Sequence, residues 1–499
     1  MGSLSDSKYI IKTDGYWFVE AHDVDPSKGY ISVSAKGIVN GLSNQPNDGA
    51  DFGPDTYNPN YSGSGIPYTQ TGGIQEAINY AFNKGGYGVR LLTGVYDVTN
   101  APFQSDPNNS GAYGQIVIPL QLGSSNQKTI NISIVGEGIS RGGTEEGVSA
   151  GSFSGGVTIK SLATSSELYP SIIYAMRAPT GDGAGGTTLS NVNLWIDGLH
   201  IQGNPTSTNS VSGVDMTWIV SCNIGKIYID TYYTGATAPY PPPSINSGKG
   251  IAWAANVDVS ILQRAELIYV AGYAQGLVTT LTHAFVSQYI SQFNAVGLTN
   301  AGTSSAYSGM IALFNVQYTS THISINSTVN FTILQYDWGD EGTEIEGAFT
   351  YNVEIASGVT AWINIIAFNI ATSTVSPTFS LTPNSILRVY QYMNKNGGRY
   401  VPTPSLTTNP PVSGTAYQNT NPYDIRIYLP AYATTSGTAG TVAIALGSTS
   451  SPTAIGTKFI SGSTSSSSTE IIELVVPAGW YYEVTLTGTT LATASVFAV

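Results

Sequence analysis

The chain predicts an all-β protein in two parts: a long solenoid of short stacked strands behind an N-terminal capping helix, then a C-terminal antiparallel β-sandwich. Three observations predict it. From about residue 115 to 370, short apolar runs recur between Gly, Asn and Ser without any long helical period. A Pro/Thr-rich stretch, Val401 to Pro411, then interrupts the pattern in a way no central strand or helix tolerates. Beyond it, alternating strands follow turn signals roughly every ten to fifteen residues, the spacing of a compact sandwich.

The elements follow in order. Tyr9 to Asp23 reads as two strands about the turn pair Asp14-Gly15, and Gly29 to Gly41 repeats the strand and turn pattern. Asn44 to Gln70 is rich in Gly, Pro, Asn and Asp and reads as a surface loop. Ile74, Ala77, Ile78 and Ala81 recur with helical spacing, so Ile74 to Asn83 reads as a short amphipathic helix stopped by Gly85-Gly86. Val89 to Leu92 is a strand, Thr93-Gly94 a turn, and Val95 to Val98 the next strand.

The later runs, such as Gly114 to Ile118, Ile132 to Gly136, Val192 to Ile201, Ile224 to Ile229 and Phe349 to Ile355, place Ile, Val and Leu on one side and Ser, Asn, Thr and Tyr on the other. Coils of about 24 residues stacked at about 4.8 Å would form a rod rather than a sphere. Ala371 to Tyr400 reads as the closing coil. The predicted organisation is therefore an entry segment and loop at 1–70, a β-helix at 71–400, a Pro/Thr linker at 401–411 and a sandwich at 412–499. In the last part Ser463 to Thr469 reads as a solvent loop or strand edge.

Two resemblances add to this reading. The helix, double glycine, strand and Gly-x-Tyr of residues 72–98, with Gly49-Ala50-Asp51 and Asp55-Thr56 upstream, resemble the entrance of the pectate-lyase-like right-handed parallel β-helix family. The resemblance implies a helix that caps the open end of the solenoid, and it implies little about activity. Ala416 to Pro430 and Val476 to Tyr482 resemble the C-terminal modules of minor virion proteins of viruses that infect thermoacidophilic archaea. That implies a terminal fibre or spike on the virion surface that contacts a host-cell glycan or surface protein and other virion proteins. By analogy with β-helical viral spikes it also implies a homo-oligomer, a trimer among the forms expected.

Composition narrows the function classes. Of the 499 residues only 10% are charged, against about 25% in an average globular domain. With 18 Lys+Arg against 31 Asp+Glu and no basic run, a phosphate-backbone partner is not expected. A surface coated with hydroxyl and amide groups has few ion pairs to lose in acid, which suits harsh, acidic surroundings as well as a glycan-binding surface. The one cysteine, Cys222, sits in a strand-like run and reads as a buried, inert thiol. No apolar run is long enough to span a membrane, and Met1 to Asp6 lacks the pattern of a secretory leader, so synthesis in the host cytoplasm is expected.

The densest polar cluster is Tyr336 to Glu346, which carries Asp337, Asp340, Glu341, Glu344 and Glu346 beside Trp338. It reads as a solvated loop, as a Ca²⁺ or glycan site, or as the acid and base of a glycoside hydrolase or lyase, because a suitably spaced carboxylate pair serves each. No other cofactor is expected. Asp197 reads as a strand-end turn residue or as an acidic residue of a polysaccharide site. The hydrolase motifs of the pectin-degrading members, paired aspartates with Gly-His-Gly and Arg-x-Lys, are missing, so attachment is favoured over catalysis, with a cellular surface or secreted β-helix protein as the third alternative. His22, His200, His283 and His322 are dispersed and read as structural. Besides Trp338, the aromatic residues Tyr232, Tyr233, Tyr240, Trp480 and Tyr481 are candidate sugar platforms, with packing between coils as the competing role.

Overall fold

A computed structural model describes residues 9–13, 16–20, 29–35, 50–54, 69, 71–84, 86–98, 114–119, 130–138, 156–162, 171–176, 190–203, 211–217, 219–231, 246–253, 263–281, 284–301, 308–339, 350–370, 378–382, 385–394, 406, 408–421, 423–460 and 470–498. Among these, Tyr9–Thr13 and Tyr16–Glu20 form the antiparallel pair expected about Asp14-Gly15. The Ser463 to Thr469 tract and most of the Asn44 to Gln70 loop lie outside the described residues.

The solenoid is a right-handed parallel β-helix. Its described strands fall in a 14-stranded and a 9-stranded parallel sheet. The larger sheet folds around two faces. One, here called face A, begins with Tyr30–Val33, Gly88–Leu91, Ile130–Gly136 and Ser190–Asp197. The next, face B, begins with Gly94–Val98, Val157–Ser161 and Leu199–Gly203. The 9-stranded sheet, from Gly114–Ile118 to Phe379–Ser380, is face C.

From Ile219–Thr231 onward one strand serves both A and B: its first half pairs with Ser190–Asp197 and its second with Leu199–Gly203. This corrects the short-run reading of Ile224 to Ile229, since the chain turns the corner without leaving β conformation. Tyr30–Val33 already pairs in parallel with Gly88–Leu91, so the first coil starts inside the segment set apart at 1–70. Register partners such as Gln263 and Ala284, Phe285 and Met310, or Trp362 and Ile386 give the coil length, and Val329 with Ala361 marks a longer coil.

The helix Ile74–Asn83 covers the first coil. Ile74, Ala77, Ile78 and Ala81 are fully buried, as their spacing predicts, but Gln75, Glu76 and Asn79 are buried too. Gln75 explains part of this. Its Nε2 donates to the Val117 carbonyl at 2.9 Å, and its Oε1 accepts the Val117 N–H at 2.6 Å. One amide side chain thus replaces the strand that the edge of face C lacks, which keeps that edge from pairing with another chain. Asp51 of the Gly-Ala-Asp motif acts alike, with Oδ2 accepting both the N–H and the hydroxyl of Ser32 at 2.8 Å.

Inside the later coils, Tyr289, Phe314, Tyr336, Phe368 and Tyr392 occupy equivalent register positions. Their rings follow one another at 5.2, 5.1, 4.5 and 5.6 Å, within the range of favourable aromatic pairs. The ladder continues at 6.0 Å, edge-on, to Tyr423 of the C-terminal part, where Gly479 lies against Ser385 and Ile386. The second part therefore closes the open end of the last coil.

That part packs two antiparallel sheets. Ala416–Gln418, Tyr481–Thr487, Gly440–Gly447 and Thr453–Ile460 form one, and Glu470–Val476, Ile425–Ala433, Thr489–Leu491 and Ser495–Ala498 the other. Their inner faces share a core of their own around Ile427, Leu429, Val442, Leu474 and Val484. Residues 401–405 and 407 of the linker lie outside the described residues, whereas Leu406 packs on this second core.

Candidate functional site

Strict alternation decides what the first coils present to solvent. With Val192, Leu194 and Ile196 inward, Asn193, Trp195 and Asp197 must point outward, and Trp195 is 44% exposed. Parallel stacking then repeats these positions from coil to coil. Asp197 shares its row with Val135 and Arg90, while Trp195 shares its row with Ser133, Gly88 and Tyr30. Tyr30, Gly88 and Ser133 of one row and Arg90, Val135 and Asp197 of the other line a cleft of about 770 Å³ at the corner between faces A and B, and Trp195 stands next to Ser133 in its row, outside that lining. Tyr30, Arg90, Glu137, Asp197, Lys226 and Tyr228 supply its chemistry.

Glycines make room for these side chains. Gly198 turns the corner at φ +68°, and a Cβ there would lie 2.7 Å from the Gly136 carbonyl oxygen. A Cβ on Gly225 would lie 2.1 Å from Asp197 Oδ1, so this glycine houses the carboxylate. The same oxygen accepts the Lys226 N–H at 2.7 Å, which fixes Asp197 from the next coil. Arg90 pairs with Glu137 at 3.0 Å and lies 5.2 Å above the Tyr30 ring. Lys226 Nζ reaches Glu266 at 3.1 Å, and Tyr228 stacks on Tyr269 at 5.2 Å. Such a surface offers flat rings for stacking and paired donors and acceptors for hydroxyl groups.

The predicted acidic cluster falls elsewhere. Asp337, half-buried on the outward side of face B, accepts hydrogen bonds from Asn369 Nδ2 at 2.6 Å and Gln335 Nε2 at 3.0 Å. Trp338 points inward, 6% exposed, edge-on to His322 at 5.3 Å, and so presents no platform to a sugar. Asp340, Glu341, Glu344 and Glu346 lie outside the described residues, as do Tyr232, Tyr233 and Tyr240. The Ca²⁺ expectation rests on that same stretch. Among the described residues no group of three or more His, Cys, Asp or Glu is placed to hold a metal ion. Trp480 packs partly against the core of the C-terminal part, and Tyr481 is buried.

Cys222, His200 and His322 are buried among protein side chains. Cys222 is buried with its Sγ 3.2 Å from Met216 Sδ, and burial pushes its thiol pKa up. His200 is buried with Nε2 3.0 Å from Asp230 Oδ1, and His322 is buried beside Tyr336 and Asn352. His22 and His283 lie outside the described residues.

No protein-family model matches the chain, and a search of curated proteins finds no match. Among solved structures, the A-module of the mannuronan C-5 epimerase AlgE6 of Azotobacter vinelandii is 13% identical, with a TM-score of 0.26 over 64% of this chain and 94% of that one. Pantoea stewartii WceF, a glycan biofilm modifying enzyme with a bacteriophage tailspike-like parallel β-helix fold, is 12% identical, with a TM-score of 0.32 over 85% and 61%. The enzymatically active domain of tailspike protein 4 of bacteriophage CBA120 is 10% identical, with a TM-score of 0.31 over 87% and 67%.

Proposed function

We propose that the chain is a virion attachment protein, a terminal fibre or spike, that holds a surface polysaccharide against the outer rows of its first coils. The observation that carries this reading is the outward set of Trp195, Tyr228, Asp197 and Arg90, fixed on a stacked parallel sheet. Rigid elements position such groups better than loops do. Display on the surface of an archaeal virus, after assembly in the host cytoplasm, belongs to the same proposal and draws on the resemblance of the C-terminal part.

A pull-down or calorimetric titration with host surface polysaccharide tests it. Trp195→Ala, which removes an exposed ring, and Gly225→Ala, which displaces the Asp197 carboxylate, should each weaken binding by about tenfold, or about 1.4 kcal/mol. Full binding by both variants overturns the cleft assignment. A second reading, a polysaccharide-cleaving enzyme, is favoured by the two carboxylates Glu137 and Asp197 in one cleft. Release of reducing or unsaturated ends by the wild type, lost in Asp197→Asn, would establish it.

Self-association is part of the proposal. Among the described residues Thr453–Ile460 pairs on one side only, with Gly440–Gly447, and Ile455 and Phe459 are 58% and 74% exposed. A long edge strand with such residues favours pairing with another chain. Sedimentation should give an oligomer that Phe459→Lys shifts toward smaller species. A wild-type monomer removes this element.

A further inference from the structure

We infer that the cleft selects a neutral hexose polymer and rejects polyuronates. The inference rests on the cleft being a glycan site. Its lining holds two cations, Arg90 and Lys226, and two carboxylates, Glu137 and Asp197. The cations are already engaged: Arg90 with Glu137 at 3.0 Å, and Lys226 with Glu266 at 3.1 Å. A uronate carboxylate drawn to Arg90 would sit beside Glu137, a like charge already 3.0 Å from the guanidinium. The chain as a whole carries a formal charge of −13, so a polyanion is also repelled on approach.

A neutral sugar meets none of these costs. Vicinal hydroxyl groups can donate to Glu137 or Asp197 and accept from Arg90 or Lys226, leaving both ion pairs in place. The exposed ring of Trp195 offers a flat surface to the apolar face of a pyranose. Selection arises because both cations of the cleft are already paired while Asp197 adds a carboxylate with no cation partner among the described residues, so a charged ligand of the same sign meets surplus negative charge.

The test titrates the full chain with soluble dextran, mannan and galactan, and with polygalacturonate and alginate, at low and high salt. At least one neutral polymer should bind at least about tenfold tighter than either polyuronate, with little change in salt. Glu137→Gln, which frees Arg90, should raise polyuronate affinity and make it salt-sensitive. Tighter polyuronate binding by the wild type, weakening with salt, overturns the inference and leaves the glycan site intact. Failure of every polymer to bind, or neutral binding unaffected by Gly225→Ala, which displaces the lining carboxylate of Asp197, removes the glycan site and the inference with it.

Discussion

Acidification from pH 6.5 to pH 3 is expected to cost the β-helix on the order of 5 kcal/mol through one side chain, His322. The ring is 1% exposed inside the coils. Burial pulls its pKa down from 6.5 to about 3, partly offset by a hydrogen bond to the backbone of Thr319. Nδ1 meets the Tyr336 hydroxyl and lies 3.2 Å from Asn352 Nδ2, and the edges of Tyr336 and Trp338 flank the ring. These partners are neutral, so an imidazolium would be charged in a site that offers it little solvation. The unfolded chain takes the proton near pH 6.5, whereas the folded chain refuses it until about pH 3. Stability therefore falls steadily through that window. Unfolding measured against pH should show the slope in the wild type and a flatter one in His322→Asn. Equal slopes would mean that the ring is solvated in the native protein.

Glu76 works in the opposite direction. Burial raises its carboxyl pKa from 4.5 to about 7, against weaker lowering by hydrogen bonds from Thr69 and Thr71. Both hydroxyls reach Oε2, at 2.8 and 3.3 Å, while Oε1 has no partner among the described residues. The unfolded chain releases this proton near pH 4.5 and the folded cap holds it to about pH 7. Its contribution to stability is thus full below pH 4.5 and lost as pH rises through 7, a change of about 3 kcal/mol. Glu76→Gln should leave the helix Ile74–Asn83 unaffected near pH 4 and protect it more than the wild type at pH 8, read by amide hydrogen exchange. No gain at pH 8 would show that the carboxylate ionises at little cost where it sits. Acid therefore tightens the cap and loosens the coils around His322. A charge-poor surface suits acidic surroundings only so far, because the interior carries its own titration.

Much of the fold was legible because it depends on local rules. Ile74, Ala77, Ile78 and Ala81 announce a buried helical stripe, and the Val192, Leu194, Ile196 alternation announces an inward strand face. The same alternation places Trp195 and Asp197 outward; Asp197 reads as a candidate from the sequence, whereas the charge density at Asp337 to Glu346 draws the reading away from Trp195. Trp338 misled for a related reason. The inward phase of Phe331 and Ile333 shifts by one residue at the exposed pair Leu334-Gln335, where the strand turns the corner, and so brings Tyr336 and Trp338 inward, where the indole packs instead of stacking on a ligand.

The order of turns and alternations along the chain was enough to determine a wound stack of strands with a capped start and a separate sandwich at the end, because side-chain periodicity and Gly/Pro punctuation act within a few residues. Only the tertiary structure decided that Arg90, Glu137, Asp197 and Lys226, spread over 137 positions of sequence, share one cleft. The reason is coil register. Which residue of one turn lies above which residue of the next depends on the length of every intervening loop and on glycines such as Gly198 and Gly225 that let backbones approach, and no local pattern encodes that sum.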